Sequence, residues 1–155
     1  MLEKERKMMD MLDGVEKIFE EMQPMMKKLK KNSYEKNMVQ FREAHGHYFS
    51  EMMTYMEGEE DKEKAAKEVG RAFVDKVEAA YVKKGKVSGK VQTDLNFFMI
   101  YYTFPAILMT HSDYAKQVAD SICAEWGMRF KDSRIGFADY DTIYSGFREK
   151  IFGIF

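Results

Sequence analysis

Apolar residues recur at alternating spacings of four and three along two long stretches at the start of the chain. In the first stretch, 3–31, seven positions follow this spacing: Met8, Leu12, Val15, Phe19, Met22, Met26 and Leu29. In the second stretch the same spacing runs from Tyr34 to Tyr55 and ends before Gly58. Such spacing is typical of amphipathic helices. Because only a short segment separates the two stretches, the sequence predicts a long N-terminal antiparallel helical hairpin over 3–57.

One later segment, Leu95–Met109, is apolar on all sides when it is drawn as a helix. A helix of this kind must be surrounded by the rest of the protein. The segment is shorter than the roughly 18–20 apolar residues that a membrane-spanning helix needs. Pro105 cannot donate a hydrogen bond to the carbonyl of Tyr101, and its ring crowds that turn, so a kink is expected. The sequence therefore predicts a central, kinked, apolar helix over about 91–110.

Three further helical patterns are present, at about 61–84, 113–130 and 140–152. Small residues, including Gly70, make the apolar face of the first of these helices thin, which permits a close approach between helices. Together the patterns predict an all-α fold, a single-domain helical bundle of five to six helices that spans residues 1–155.

Local signals refine where these helices begin and break. Pro24 lies inside the first stretch, so the first helix is expected to split there, because proline lacks the N–H that a helix interior requires. Asn32 is expected to cap the second helix and Ser112 the helix over 113–130. Asp139 or Asp141 is expected to cap the last helix.

Composition narrows the class of protein. The 155-residue chain is 45% hydrophobic and 33% charged, which fits a globular helical domain. Its net charge of −1 gives no electrostatic reason to bind nucleic acid or an anionic membrane. The charged N-terminus has no apolar h-region, so we expect no signal peptide. The single cysteine, Cys123, excludes an internal disulfide and suits a reducing compartment, so the sequence predicts a cytoplasmic protein.

The predicted kink at Pro105 is the first candidate site. A kink leaves backbone carbonyls without helical partners, and these carbonyls need a hydroxyl, a water or a ligand. The simpler interpretation is a kink satisfied by a neighbouring side chain or water. The functional interpretation is a pocket of about 300–1,000 Å³ for a small apolar ligand, which would resemble in kind the all-helical effector-binding domains of bacterial repressors. The candidate lining residues are Tyr101, Tyr102, Phe104, Pro105, His45 and Tyr48.

A metal or haem site is a weaker candidate. Glu43, His47 and Glu51 share a helix face at four-residue spacing, which is the geometry of half a metal site and equally of a solvated ion-pair ladder. The chain contains no Glu-x-x-His pair of the kind that ferritin-like carboxylate sites use. A haem would rely on His45 as its axial ligand. We therefore expect no cofactor, and the sequence supports no catalytic residue.

Methionine is unusually frequent in the predicted hairpin, since ten of the fourteen methionines lie between Met8 and Met56. Methionine fills irregular gaps in cores and also serves adaptable binding surfaces. Core filling is the simpler interpretation. In the second interpretation, methionines off the strict spacing join the apolar C-terminus in an interface, and the candidate residues are Met9, Met53, Met56, Phe152 and Phe155.

The leading functional hypothesis is a non-enzymatic helical protein that self-associates, as a homodimer, through the methionine-rich hairpin. The alternative is a helical domain that binds a small apolar ligand, and a metal- or haem-binding bundle comes third. No substrate class follows from the sequence under any of these hypotheses.

Overall fold

The computed structural model describes the backbone of residues 3–108, 110, 113–132 and 134–151. Within these ranges, the description does not include the side chains at positions 4, 25, 29, 34, 35, 38, 40–48, 140, 150 and 151. About 80% of the chain is helical, and the described part contains no β-strand and forms one domain. The predicted all-α, single-domain fold class is therefore confirmed. No helix in the described ranges is both long enough and apolar enough to cross a membrane.

Eight α-helices follow one another along the described chain, and their bounds are α1 Glu3–Met22, α2 Met26–Lys31, α3 Tyr34–Glu57, α4 Lys62–Tyr81, α5 Gly89–Phe98, α6 Phe104–Leu108, α7 Ala115–Arg129 and α8 Tyr140–Ile151. A short 3-10 turn, Gln23–Met25, joins α1 to α2, and a π-helical turn, Met99–Thr103, joins α5 to α6. When each joined pair is counted once, the described chain forms six helical rods.

The amphipathic face of α1 is buried, and α1 contacts both α3 and α4. Its buried apolar residues are Met11, Leu12, Val15, Ile18, Phe19 and Met22. Pro24 lies in the 3-10 turn that follows, at an early position that requires no N–H donor. The first turns of α1 lie beside the last turns of α3, because Glu3 and Lys7 line the same groove as Glu51 and Thr54.

Ser33 caps α3, so the prediction that Asn32 is the cap was wrong by one residue. The hydroxyl of Ser33 accepts a hydrogen bond from the backbone N–H of Lys36 at 3.2 Å. The side-chain amide of Asn32 instead donates to the side-chain oxygen of Asn37, also at 3.2 Å. Because Asn37 is buried, this bond satisfies a group that water cannot reach.

The caps of the last two helices are only partly within the described residues. Asp139 caps α8, because its carboxylate accepts a hydrogen bond from the backbone N–H of Thr142 at 2.8 Å. This hydrogen bond holds the pKa of Asp139 below its usual range. The residue at the N-cap position of α7 is Tyr114, which makes no side-chain capping hydrogen bond. Ser112, the predicted cap of this helix, lies outside the described residues.

The central apolar helix changes its winding just before Pro105. Residues Met99–Thr103 form a π-helical turn, in which the N–H that follows the turn donates to its first carbonyl. A wider turn separates the proline ring from the carbonyl that it would crowd in a regular α-helix. The helix is not enclosed on every side, since Phe97 and Tyr101 are only half-buried.

The helices α4 and α7 form the most extensive helix–helix contact of the described chain. A Cβ atom placed on Gly70 would lie 2.8 Å from the backbone oxygen of Ser121, which is too close for any side chain. Ala65, Ala66 and Ala119 are buried along the same two helices. The thin face predicted for this part of the sequence therefore brings two helix backbones together.

An ion pair between an exposed lysine and a buried aspartate ties α2 to α5. The Nζ atom of Lys30 lies 3.0 Å from Oδ1 of Asp94, whose side chain is almost completely buried. The same ammonium lies over the ring of Phe97, 5.5 Å from its centroid. The second carboxylate oxygen of Asp94 has no hydrogen-bond partner among the described residues. The pair fixes the segment after α1 against the central helix.

Candidate interaction surface

The residues predicted to line an apolar pocket lie in different environments. Tyr102 is buried and stacks on Phe98, with ring centroids 4.7 Å apart. Phe104 is buried against Phe147, with ring centroids 4.9 Å apart. Tyr101 is half-buried on the outer side of the helix. Tyr102 and Phe104 are thus core residues whose faces are covered by other rings.

The remaining predicted pocket residues are Pro105, His45 and Tyr48. Pro105 is buried, and the side chains of His45 and Tyr48 lie outside the described part of the chain. None of the pocket residues that the structure describes lines the cavity or the groove reported below. The pocket at the kink stays a prediction.

A small cavity does occur in the described core, between α1, α4 and α5. Its volume is about 30 Å³, and its walls include the rings of Phe19, Phe73 and Phe98. This space is about that of one water molecule and is far smaller than a typical ligand pocket. The buried hydroxyl of Tyr81 at its edge has no hydrogen-bond partner among the described residues. Burial and the nearby charge of Glu16 raise the pKa of Tyr81, so the phenol keeps its proton.

A much larger space lies between the first turns of α1 and the last turns of α3. We call it the α1–α3 groove. Its volume is about 710 Å³, and it is open to solvent on one side. The lining residues are Glu3, Lys7, Asp10, Met11, Glu51, Thr54, Tyr55, Gly58 and Glu59.

The groove combines an apolar floor with an acidic rim. Met11 is buried and Tyr55 is half-buried beneath it. The residues that line the groove include four carboxylates and only one ammonium, that of Lys7. This ammonium lies 3.9 Å from the carboxylate of Glu3. The groove can therefore accept an apolar side chain that is flanked by cations, because the rim attracts positive charge and the floor favours apolar contact.

The groove also contains the one predicted metal ligand whose side chain the structure describes. Glu51 is exposed there, whereas the side chains of Glu43 and His47 lie outside the description. Among the described residues, no group of three histidine, cysteine or acidic side chains is placed to hold a metal ion. The observed setting of Glu51 is that of a surface carboxylate at the rim of a groove.

The methionines predicted to form an interface divide between surface and core. Met9 is 41% exposed on α1, but it is not among the residues that line the groove. Met53 and Met56 are only 4% and 0% exposed, so their side chains fill the core of the single chain. Phe152 and Phe155 lie outside the described residues. Met9 is therefore the predicted interface residue that the structure places on the surface.

A second charged surface lies at the other end of α1, which sequence reasoning did not single out. Here α2 and the first turns of α3 carry exposed lysines together with Val39, which is 57% exposed. We call this group of exposed side chains on two successive helices the basic ridge, and its members are Lys27, Lys28, Lys31, Lys36 and Val39. The signal in the sequence was Val39 itself, an apolar residue off the spacing that marks the buried face of α3.

Nucleophilic chemistry finds no support at the single cysteine. Cys123 is buried on α7. Burial, and to a lesser extent the charge of Asp120, raises the pKa of the Cys123 thiol, so it stays protonated and unreactive. The prediction of an inert core thiol agrees with this setting.

No protein family, no curated protein and no solved structure matches this chain. What can be inferred about function therefore comes from the described surfaces of the molecule. Of these, the α1–α3 groove is the one that combines size, apolar floor and charge.

Proposed function

We propose that this chain is a non-enzymatic helical protein that self-associates as a homodimer, and that it works in the cytoplasm. The observation that carries the proposal is the α1–α3 groove, with a volume of about 710 Å³ and with Met11 and Tyr55 at its floor. An open groove between two helices with an apolar floor is a common docking site for a further helix. The acidic rim gives such docking a preferred orientation.

Exposed apolar side chains on the same two helices support the proposal. Met9 on α1 and Val39 on α3 are respectively 41% and 57% exposed. Contact with a second copy would remove both side chains from water, which is worth about 25 cal/mol for each Å² of apolar area buried. The single, buried and unreactive Cys123 supports a reducing compartment as the site of action.

The first test is the mass of the native protein together with one matched pair of variants. At micromolar concentration, native mass spectrometry is expected to give twice the 18.3 kDa mass of the chain. Met9→Ser is expected to weaken the dimer about tenfold, because the methionine buried on association is lost from both copies. The control is Met128→Ser, since Met128 is 60% exposed on α7, a helix that contributes no residue to the groove.

The outcomes of this test are distinct. A chain that stays monomeric at about 100 μM would refute self-association, since a dimer of even 10 μM affinity is then the major species. A dimer that neither variant weakens would place the interface away from Met9. A dimer that both variants weaken equally would show that exposed apolar side chains in general, and not Met9 in particular, hold the two copies together.

A further inference from the structure

The α1–α3 groove and the two ridge residues on α3, Lys36 and Val39, lie on one side of the same helix. Lys36 of the ridge and Thr54 of the groove are eighteen residues apart in α3. At about 3.6 residues per turn this separation is five whole turns, so the two side chains leave the helix in the same direction. Glu51 is three residues before Thr54 and belongs to the same side.

The two surfaces cannot meet within one chain. At about 1.5 Å per residue, Lys36 and Thr54 are roughly 27 Å apart along a continuous helix. The backbone of α3 is helical without a break from Tyr34 to Glu57. A ridge on a rigid helix cannot fold back onto a groove at the other end of that helix, so the ridge can reach a groove only in another molecule.

The charges of the two surfaces are complementary. The ridge lysines Lys27, Lys28, Lys31 and Lys36 are exposed, and they make no ion pair with described residues. The groove presents four carboxylates at its rim and apolar atoms at its floor. Val39 follows Lys36 by three residues, so the ridge offers an apolar side chain beside a cation, which is the combination that the groove can accept.

We propose that the occupant of the α1–α3 groove is the basic ridge of a second copy of this chain. This inference rests on the self-association proposed above and specifies its geometry. The proposed two-fold axis is perpendicular to α3 and passes near the middle of that helix. The α3 helices of the two copies are then antiparallel, and each ridge lies beside the groove of the other copy. The interface is then isologous and contains the same contact twice, as is usual for homodimers.

Reciprocal charge reversal tests this arrangement. In the proposed dimer, Glu51 of each copy lies near Lys36 of the other copy, so this contact occurs twice. Glu51→Lys alone sets ammonium against ammonium in both contacts, and Lys36→Glu alone sets carboxylate against carboxylate in both contacts. Each variant alone is expected to dimerise at least about tenfold more weakly than the wild type.

Mixing the two variants is expected to restore the dimer. A heterodimer of the Glu51→Lys and Lys36→Glu chains has one contact of the original polarity and one of reversed polarity, and both contacts are attractive. Sedimentation velocity of the equimolar mixture should return to within about threefold of the wild-type affinity. The chain that carries both substitutions should also self-associate, because its two contacts are both simply reversed.

Both variants are expected to fold. Lys36 and Glu51 are exposed, and a glutamate three residues after the Ser33 cap is favourable at a helix start. Far-UV circular dichroism checks this directly. Matched controls are Glu149→Lys on α8 and Lys86→Glu in the loop before α5, which are exposed and lie outside both surfaces. Neither control, alone or mixed, should change the dimer.

The outcomes separate this inference from the proposal on which it rests. A wild-type chain that is monomeric overturns both. A wild-type dimer that survives each single reversal keeps self-association but overturns the pairing of groove and ridge. Single variants that dissociate and do not recover on mixing also overturn it, because the two surfaces are then each needed but do not face one another.

Discussion

At the residue scale, Gly70 sets the distance between α4 and α7. The hydrogen that takes the place of its side chain faces the backbone oxygen of Ser121, which a Cβ atom would approach to 2.8 Å. The atom that a side chain would meet belongs to a helix backbone and cannot rotate away. Glycine suits this position because it has no side chain. The cost of glycine in a helix, about 1 kcal/mol relative to alanine, is offset by the closer packing of α4 and α7.

Gly70→Ala is expected to lower the free energy of unfolding by about 2 kcal/mol, because forced overpacking typically costs about 1–3 kcal/mol. Urea unfolding followed by circular dichroism measures this change. Gly89→Ala is the control, since nothing lies within 4 Å of a Cβ atom at the start of α5. An equal or higher stability for Gly70→Ala would contradict the close approach of α4 and α7.

Single residues also show where sequence reasoning reaches its limit. The sequence predicted a cap at Asn32, but the neighbouring Ser33 takes that role because the Asn32 amide bonds to buried Asn37. Met53 and Met56 lie off the strict spacing and were candidates for a surface. They are buried because α3 packs against α4 and α6 in addition to α1. The spacing of apolar residues indicates one buried face of a helix. A helix in a bundle can have several neighbours, so residues off that face can also be buried.

At the scale of elements, the attachment of α2 to the central helix depends on one buried charge. Asp94 is buried on α5, and the ammonium of Lys30 is the partner of its Oδ1 atom at 3.0 Å. Removing the ammonium would leave a carboxylate in the interior without compensation, which costs more than the pair contributes. The main effect of the pair is therefore to fix the position of α2, and its contribution to the free energy of unfolding is smaller.

Lys30→Met is expected to lower the free energy of unfolding by about 1–2 kcal/mol, less than for a fully buried pair because the side chain of Lys30 is itself partly exposed. The double variant Lys30→Met/Asp94→Leu should recover most of this loss, because it removes both charges. Lys17→Met, on the exposed side of α1, is the control and should change little. Chemical unfolding of the four chains gives the comparison, and a double variant no better than Lys30→Met would contradict this role.

The elements themselves were largely predictable, because their signals are local. The spacing of the apolar residues and the positions of the glycines indicated the helices, and the missing N–H of Pro105 indicated a break in the central one. The form of that break was not predictable. A chain can respond to such a proline with a bend, a bulge or a restart, and here Met99–Thr103 winds as a π turn. Which response occurs depends on the neighbours of the helix and not on its own sequence.

At the scale of the whole molecule, the α1–α3 groove could not be predicted from the sequence. It exists because the start of α1 lies beside the end of α3 without filling the space between them. Glu51 was singled out beforehand only for its spacing to His47, and its place at the rim of a groove was unforeseen. The common direction of Lys36 and Thr54, in contrast, follows from their spacing alone.

Ionic strength separates the two contributions to the proposed dimer. The contact of Val39 with the groove floor is apolar and is not weakened by salt, whereas the contacts of the lysines with the rim are screened beyond about 3 Å at 1 M salt. Raising sodium chloride from about 50 mM to about 500 mM should therefore weaken the dimer several-fold without abolishing it. Light scattering at fixed protein concentration measures this, and a dimer strengthened by salt would contradict the role of the lysines.

The most direct measurement is sedimentation velocity of the wild-type chain over a concentration series from about 1 to about 100 μM. The predicted result is a reversible shift from a species of 18.3 kDa to one of twice that mass. A single species of 18.3 kDa at every concentration would contradict the account, because the groove would then remain open to solvent in the native protein.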